Sequence, residues 1–338
     1  MNGGLHIILN PTAGSGAAKR LQPKIVEAAA ALWRAEASAR GQQFVLHVTT
    51  RQGEATEFAR QAVRAGASMI VAVGGDGTVQ EIANGMLGAG DGQVTCELGI
   101  VNCGTGRGLA DSLGLPESLD DQLHLIRNGN VVALDVGRVR YLDADNREAE
   151  RLFVNECQLG IGGTVVARIE AEKAGGEREE RGIVPYKRLG GTLAFGLVAV
   201  EELVRLRCPE LGVQMDDAEP IRDRFLGIMV GNGARCGGGM CLTPNALPDD
   251  GLFDVVLVRE MGVLRRLWVF PKIYKGRHTG VAGISSHRCR RITVTGSDTA
   301  ALEADGELLG RPPCTIEVLP AALRVRAGKP EGAGVRGG

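Results

Sequence analysis

The stretch GGDGT, residues 74–78, follows an apolar run and leads into a helix-like segment. Gly74, Gly75 and Gly77 let backbone N–H groups approach phosphate oxygens, and a helix starting near Thr78 presents its N-terminus to them. Asp76 cannot itself bind phosphate. It fits if it holds Mg²⁺ through water, or if it takes the proton of an attacking hydroxyl. Thr78 is either a cap for that helix or a donor to phosphate. Two other acidic turns stand out. In TPNALPDDGLFDVVLV, residues 243–258, Asp249 and Asp250 precede Gly251, as a plain hairpin or as a hard-cation site. In EADGE, residues 303–307, three carboxylates surround a glycine turn, as a surface turn or as a raised-pKa cluster suited to a general base. Neither common nucleotide signature is present. GSGAAKR at 14–20 lacks the Lys-Ser/Thr of a Walker loop, and GTGRGLAD at 104–111 lacks the third glycine of a dinucleotide fingerprint.

These residues need a scaffold, and the first third of the chain supplies one. Apolar runs at 5–9, 44–48, 69–73 and 98–101 alternate with helix-like segments at 17–40, 54–65 and 79–87. Strands apolar on both faces and separated by helices predict a doubly wound parallel sheet. Its ligands bind beyond the carboxyl ends of the strands, where the glycine-rich loops fall. From about Val131 the pattern becomes short, β-rich and turn-bounded, with one helix near 192–205, which predicts a mostly antiparallel second domain. The expected boundaries are 1–133 for a nucleotide-binding α/β domain and 134–310 for a β-rich lipid and metal domain. Residues 311–327 are expected to return to the first domain, and 328–338 to form a disordered tail.

Composition narrows the partners. A net charge of -1 and a pI near 6.6 exclude a polycation built for nucleic acid. The eight cysteines have neither CxxC pairs nor zinc-site spacing, which predicts reduced thiols in a cytoplasmic protein. The apolar N-terminal stretch is too short for a signal peptide, and no run approaches the roughly 18 apolar residues of a membrane span.

Taken in order, NPTAGSG (10–16), GGDGTVQEIANG (74–85), GTGRGLADSLGLP (104–116), the PNALPDDG turn and ADGE (304–307) resemble the diacylglycerol kinase catalytic family. That group holds bacterial lipid kinases and, more distantly, sphingosine and ceramide kinases. The resemblance runs from Ile7 to about Val325. It implies an NAD-kinase-like α/β domain, an antiparallel β-sandwich domain and a cleft between them for both substrates. It also implies ATP and Mg²⁺. Its nucleotide site corresponds to Asn10, Thr49, Gly74 through Gln80 (with Asp76 and Thr78) and Thr105. A structural Mg²⁺ corresponds to Leu247, Asp250 and Leu252. The general base corresponds to Asp305 with Glu307 beside it, and Asp76 then joins a metal–water network; in the sphingosine kinase branch the base is instead Asp76. The implied substrate is diacylglycerol-like. The alternatives are a sphingoid base or ceramide, an NAD kinase relative, or a non-catalytic lipid- or nucleotide-binding regulator. The chain departs from the family pattern at Gln80, Arg107 and Asp111. Arg107 is expected to bring a permanent charge near the phosphates, strengthening nucleotide binding or marking a changed preference.

Between Arg259 and Arg291 stand nine Lys or Arg residues and one acid, Glu260. Within GVLRRLWVFPKIYKGRH these charges mix with Trp268, Phe270 and Tyr274. Either this is an ordinary solvated face, or it sits peripherally on an anionic membrane surface. The helix near 192–205 could likewise line an acyl groove or simply pack in the core. A homodimer is compatible with this reading.

Overall fold

The computed structural model describes residues 4–37, 44–89, 94–104, 106–173 and 191–328. The first half of the chain alternates strands and helices: β1 (Leu5–Leu9), α1 (Ala13–Ala37), β2 (Phe44–Val48), α2 (Glu54–Arg64), β3 (Met69–Gly74), α3 (Asp76–Leu87), β4 (Glu97–Asn102), α4 (Gly108–Ser112) and α5 (Leu119–Asn128). The strands pair in parallel in the order β2-β1-β3-β4. Residues alternate sides along each strand, so Leu5, Ile7, Leu9, Val71 and Val73 pack on α1 and α5. Ile8, Ile70, Ala72, Leu98 and Ile100 pack on α2 and α3. Both faces are covered, as an all-parallel sheet requires.

Then follow β5 (Asn130–Leu142), β6 (Glu148–Phe153), β7 (Glu156–Gly160), α6 (Ile161–Lys173), α7 (Gly191–Arg205), β8 (Glu210–Met215) and β9 (Ile221–Gly231). The chain continues with β10 (Phe253–Arg259), α8 (Val263–Ile273), β11 (Ile284–Cys289), β12 (Arg291–Gly296), β13 (Leu302–Ala304) and β14 (Glu307–Ala327). Their pairings are antiparallel: β5, β6, β8, β12 and β14 form one layer, and β7, β9, β10, β11 and β13 the other. Phe153, Phe225 and Phe253 fill the space between the layers, all fully buried. Against the outer face of the second layer lie α7 and α8, over Leu226, Met229, Val256 and Val258.

The 21-residue β14 joins the two halves. Its first part pairs with β12 and β13, and its end, at Arg324 and Val325, pairs in parallel with β4 of the first sheet. Of the tail expected at 328–338, Gly328 is ordered, its N–H donating to Leu113 O at 3.1 Å, and 329–338 lie outside the described residues.

Candidate active site

A polar cleft of about 490 Å³ opens beyond the carboxyl ends of β1, β2 and β3. That is within the roughly 300–1,000 Å³ of small-ligand sites. Asn10 straps two of its walls together. Its Oδ1 accepts from Thr12 N (3.1 Å) and Oγ1 (2.8 Å), while its Nδ2 donates to Thr78 Oγ1 at 3.2 Å. The loop after β1 turns left-handed at Gly14 (φ 59), where a Cβ would come 1.9 Å from the Cys103 carbonyl oxygen. Only glycine fits there. Thr49 is buried, its N–H donating to Leu9 O at 2.9 Å, and it lines the cleft with Gly75, Gly77 and Thr78.

The glycine loop differs from expectation in one respect. The helix α3 begins at Asp76, two residues before Thr78, because the Thr78 and Val79 N–H groups both reach back to Gly75 O (2.9 and 3.2 Å). Gly75 is the N-cap and has no side chain to cap with, so Thr78 is no cap. Its buried hydroxyl accepts from Asn10 instead. Gly74, at the end of β3, stays glycine for packing: a Cβ would lie 2.4 Å from Thr78 Oγ1. Gln80 is fully buried, faces Arg151 (Nη2 to Oε1, 3.3 Å) and does not line the cleft. Thr105 lies outside the described residues.

Asp76 turns toward α4. Its Oδ2 accepts from Gly108 N at 3.0 Å, and the Leu109 N–H adds a second bond. Burial nevertheless raises its pKa above the ordinary carboxylate value, with Asp111 adding to the rise. The two departures from the family pattern answer each other. Arg107 donates from Nε to Asp111 Oδ1 (3.0 Å) and from Nη2 to Leu115 O (2.8 Å). Its charge is thus neutralised four residues along, rather than left bare at the phosphate loop as expected.

Asp305 arrives from the other half of the molecule. The turn between β13 and β14 places it at φ 49, a left-handed conformation that aspartate tolerates better than most residues. Its carboxylate accepts three backbone N–H bonds, from Val154 (2.8 Å), Asn155 (3.0 Å) and Glu156 (3.0 Å). Amide donors favour the charged form, yet burial outweighs them and, with the charge of Asp76 adding, lifts its pKa to about 7. Glu307, two residues on, lines the cleft and pairs with Arg151 at 2.5 Å; Gln52 donates to its other oxygen at 3.3 Å.

Leu247, Asp250 and Leu252 share one turn before β10, remote in sequence from these groups. One oxygen of Asp250 accepts from Leu252 N at 3.1 Å, and the other is paired with the Arg288 guanidinium, which also reaches Asp254 at 3.4 Å. Mg²⁺ held here by Asp250 with the Leu247 and Leu252 carbonyls would share that carboxylate with the half-exposed guanidinium or displace it. Among the described residues, no group of three or more His, Cys, Asp or Glu is arranged to hold a metal. Arg288→Ala should leave Asp250 and Asp254 facing each other and cost up to about 1 kcal/mol of stability without added metal. Thermal melts in EDTA and in Mg²⁺ test this. A wild-type midpoint raised by Mg²⁺ and unmoved in EDTA would place the ion in the turn.

Several groups here escape sequence reasoning. Glu156 lies in VNECQLG, legible only as a strand, and Arg151 carries no motif. Asp135, buried, accepts from Gly251 N (2.6 Å) and Ala321 N (2.7 Å), tying the 249–252 turn to β14. An acid in the apolar run of β5 was the one signal for it.

Residues 4–139 match the family described as diacylglycerol kinase catalytic domain, and residues 177–327 that described as YegS C-terminal NAD kinase beta sandwich-like domain. Proteins named probable lipid kinase YegS, from Shigella boydii and Escherichia coli, are 30% identical over 286 residues, 85% of this chain and 87% of theirs. The chain belongs to the diacylglycerol kinase catalytic family. A crystal structure of a putative diacylglycerol kinase from Bacillus anthracis shares the fold, with a TM-score of 0.73 at 22% identity, covering 96% of this chain and 95% of that one. In this chain the charge of Asp76, in the first of the two matched regions, acts on Asp305 in the second.

Proposed function

We propose that this protein is a lipid kinase that transfers the γ-phosphoryl group of ATP to the hydroxyl of a diacylglycerol-like lipid. One observation carries the reading: Glu307, two residues after Asp305, lines a polar cleft, and Gln158, paired with Glu303 two residues before it, lines an apolar cavity. The cleft, lined by Gly75, Gly77 and Thr78, suits a triphosphate met by backbone N–H groups and a helix N-terminus. The cavity lies between the outer layer of the sandwich and α6, α7 and α8, lined by Val165, Leu203, Met229, Met240 and Phe270, with Gln158 among its few polar groups. Its apolar lining suits an acyl chain, which would have to widen the roughly 60 Å³ now enclosed.

In the reaction the lipid hydroxyl oxygen forms a bond to the γ-phosphorus as the bond to the ADP oxygen breaks, and Asp305 takes the hydroxyl proton. A pKa near 7 makes this carboxylate a fair base at neutral pH. Asp76, whose Oδ2 accepts from Gly108 N and whose pKa burial also raises, is the alternative base. The hard oxygen donors Glu81, Glu307 and Thr78 line the cleft and suit Mg²⁺ carried in with ATP, which would neutralise charge on the triphosphate.

The membrane face is part of the same proposal. Among the described residues no helix is long and apolar enough to cross a membrane. Leu264 (85% exposed) and Trp268 (59%) on α8, with Val204 (49%) on α7, stand out beside the cavity, and Lys272 sits 3.9 Å over the Trp268 ring. Basic groups around exposed apolar side chains fit an anionic bilayer surface. Arg266 is not among them: it is buried and donates to the carbonyls of Met261, Leu203 and Leu206. Replacing Leu264 and Trp268 together by Asp should weaken binding to anionic vesicles at least tenfold, roughly the transfer energy of two large apolar groups. Vesicle co-sedimentation at two salt concentrations measures it, and unchanged binding removes this face from the proposal.

Labelled ATP offered with a micellar panel of diacylglycerol, monoacylglycerol, ceramide, a sphingoid base and phosphatidylglycerol, and with NAD⁺ as control, tests the activity. Label in a lipid supports the reading, and label in NADP⁺ alone overturns it.

A further inference from the structure

Arg151 has no part in the transfer chemistry and does not line the polar cleft, yet its guanidinium joins the two halves of the molecule beside it. Its Nη2 donates to Glu307 Oε2 at 2.5 Å and to Gln80 Oε1 at 3.3 Å. One nitrogen serves both acceptors because it carries two N–H groups. Gln80 belongs to α3, the helix that starts at Asp76, and Glu307 lines the cleft two residues after Asp305. From the other side Gln52, also in the cleft wall, donates to Glu307 Oε1 at 3.3 Å. The contacts form one line, Gln80–Arg151–Glu307–Gln52, from the glycine-loop helix to the loop after β2. Gln80 is a departure from the family pattern, and in this chain the departure meets Arg151.

The strand that bears Arg151 is held to the same helix one residue on. Leu152 N donates to Asn84 Oδ1 at 3.2 Å, and Leu152 O accepts from Asn84 Nδ2 at 3.0 Å, so α3 grips β6 by both backbone groups of one residue. The amides that hold Asp305 follow directly, at Val154, Asn155 and Glu156. The glycine-loop helix, Arg151 and the Asp305 turn are thus one connected unit. The side chains of Arg151 and Glu307 are 26% and 23% exposed, so their pair is screened less than one in open water. Without the arginine, Glu307 would face the cleft as an uncompensated carboxylate, where the proposed ligand is a triphosphate.

We propose that Arg151 is a positioning residue of the nucleotide site. It offsets the charge of Glu307, fixes that carboxylate in the cleft wall and sets the Asp305 turn against α3. The inference rests on the lipid kinase reading and deepens it, since Arg151 acts through Glu307 and Gln80 and touches neither substrate. Arginine suits the place better than lysine: a planar guanidinium meets two acceptors in fixed directions, whereas an ammonium is a point charge on a flexible stem.

Two measurements on the full chain test it. Isothermal titration with ATP in EDTA reads the charge. R151A should raise Kd about two- to fivefold, as loss of a partly covered ion pair does, and R151A/E307Q should bind like E307Q alone. Initial rates with whichever panel lipid is labelled read the position. R151A should lower kcat about 10- to 100-fold, the cost of displacing a reacting group by about 1 Å. R151K should recover only part of that loss. Free guanidinium, well below denaturing concentration, should restore R151A more than R151A/E307Q. Should R151A fail to fold, R151K and Q80N, which shortens the arm that meets Arg151 by one methylene, decide by the same rates, and both should fall below the wild type. A wild-type kcat in R151A, or a loss that the E307Q background leaves undiminished, makes Arg151 an ordinary structural arginine and overturns the inference while sparing the kinase. No label in any lipid by a protein that binds ATP overturns the kinase reading instead, and the titration then decides Arg151 by itself.

Discussion

Asp305→Asn should lower kcat by about 10²- to 10⁴-fold, the usual contribution of a general base. ATP affinity should change little, because no side-chain atom of Asp305 lines the nucleotide cleft. The substitution also turns an amide N–H₂ toward one of the donors at Val154 and Asn155–Glu156, so some stability is lost as well. Turnover and isothermal ATP binding, measured on the same preparation, separate the two effects. Loss of ATP binding in step with turnover would make Asp305 a structural residue.

The pH profile of the same enzyme carries the sign. A base works deprotonated, so wild-type kcat should fall as pH drops below about 7, and Asp305→Asn should lose that limb. Stability runs the other way. The folded-state pKa values of Asp305, Glu156 and Glu303 lie above their unfolded values, so the native state holds the extra protons. Their contribution is fully present below the unfolded carboxylate pKa and is lost as pH rises through about 7. The enzyme should therefore melt lower at pH 8 than at pH 5.5 while turning over faster.

Gly14→Val should raise the Kd for ATP at least tenfold and cost about 1–3 kcal/mol of stability, as overpacking does. The residue has φ 59, and its Cβ would drive into the Cys103 carbonyl at 1.9 Å. Cys103 N donates to Gly74 O at 2.8 Å, so the clash displaces the loops after β1 and β4 from the start of α3. Gly77→Ala is the matched control: a Cβ there meets nothing within 4 Å and φ is not positive. Any affinity lost in that variant reports close approach of a phosphate rather than misfolding. If both variants bind ATP like the wild type, the nucleotide lies elsewhere.

The parallel sheet was legible because its strands are buried on both faces and read as unbroken apolar runs. β1, β2 and α2 fall within a residue of the pattern. The glycine loops were legible because close backbone approach leaves few residue types to choose from. Less local features were not. The start of α3 at Asp76 depends on backbone bonds to Gly75 that spacing does not reveal, and Arg266 looked like any surface arginine in a basic run. Arg107 was expected to bring a permanent charge near the phosphates, but the fold sets Asp111, four residues on, 3.0 Å from it.

By itself the sequence determined the groups available for chemistry: a glycine-rich loop opening a helix, a pair of acidic turns and two patterns of burial. Residue type and short-range period settle those properties. Tertiary structure alone decided how the groups meet. Asp305 feels the charge of Asp76, 229 residues away in the chain (305 − 76), in a fold where β14 runs from the sandwich back into the first sheet. The amides that hold Asp305 come from Val154, Asn155 and Glu156, where β6 passes into β7, and Glu303 meets Gln158 through a strand pairing. Long-range pairing of this kind leaves no local period in the chain, and burial, which sets the pKa values, is a property of the packed whole.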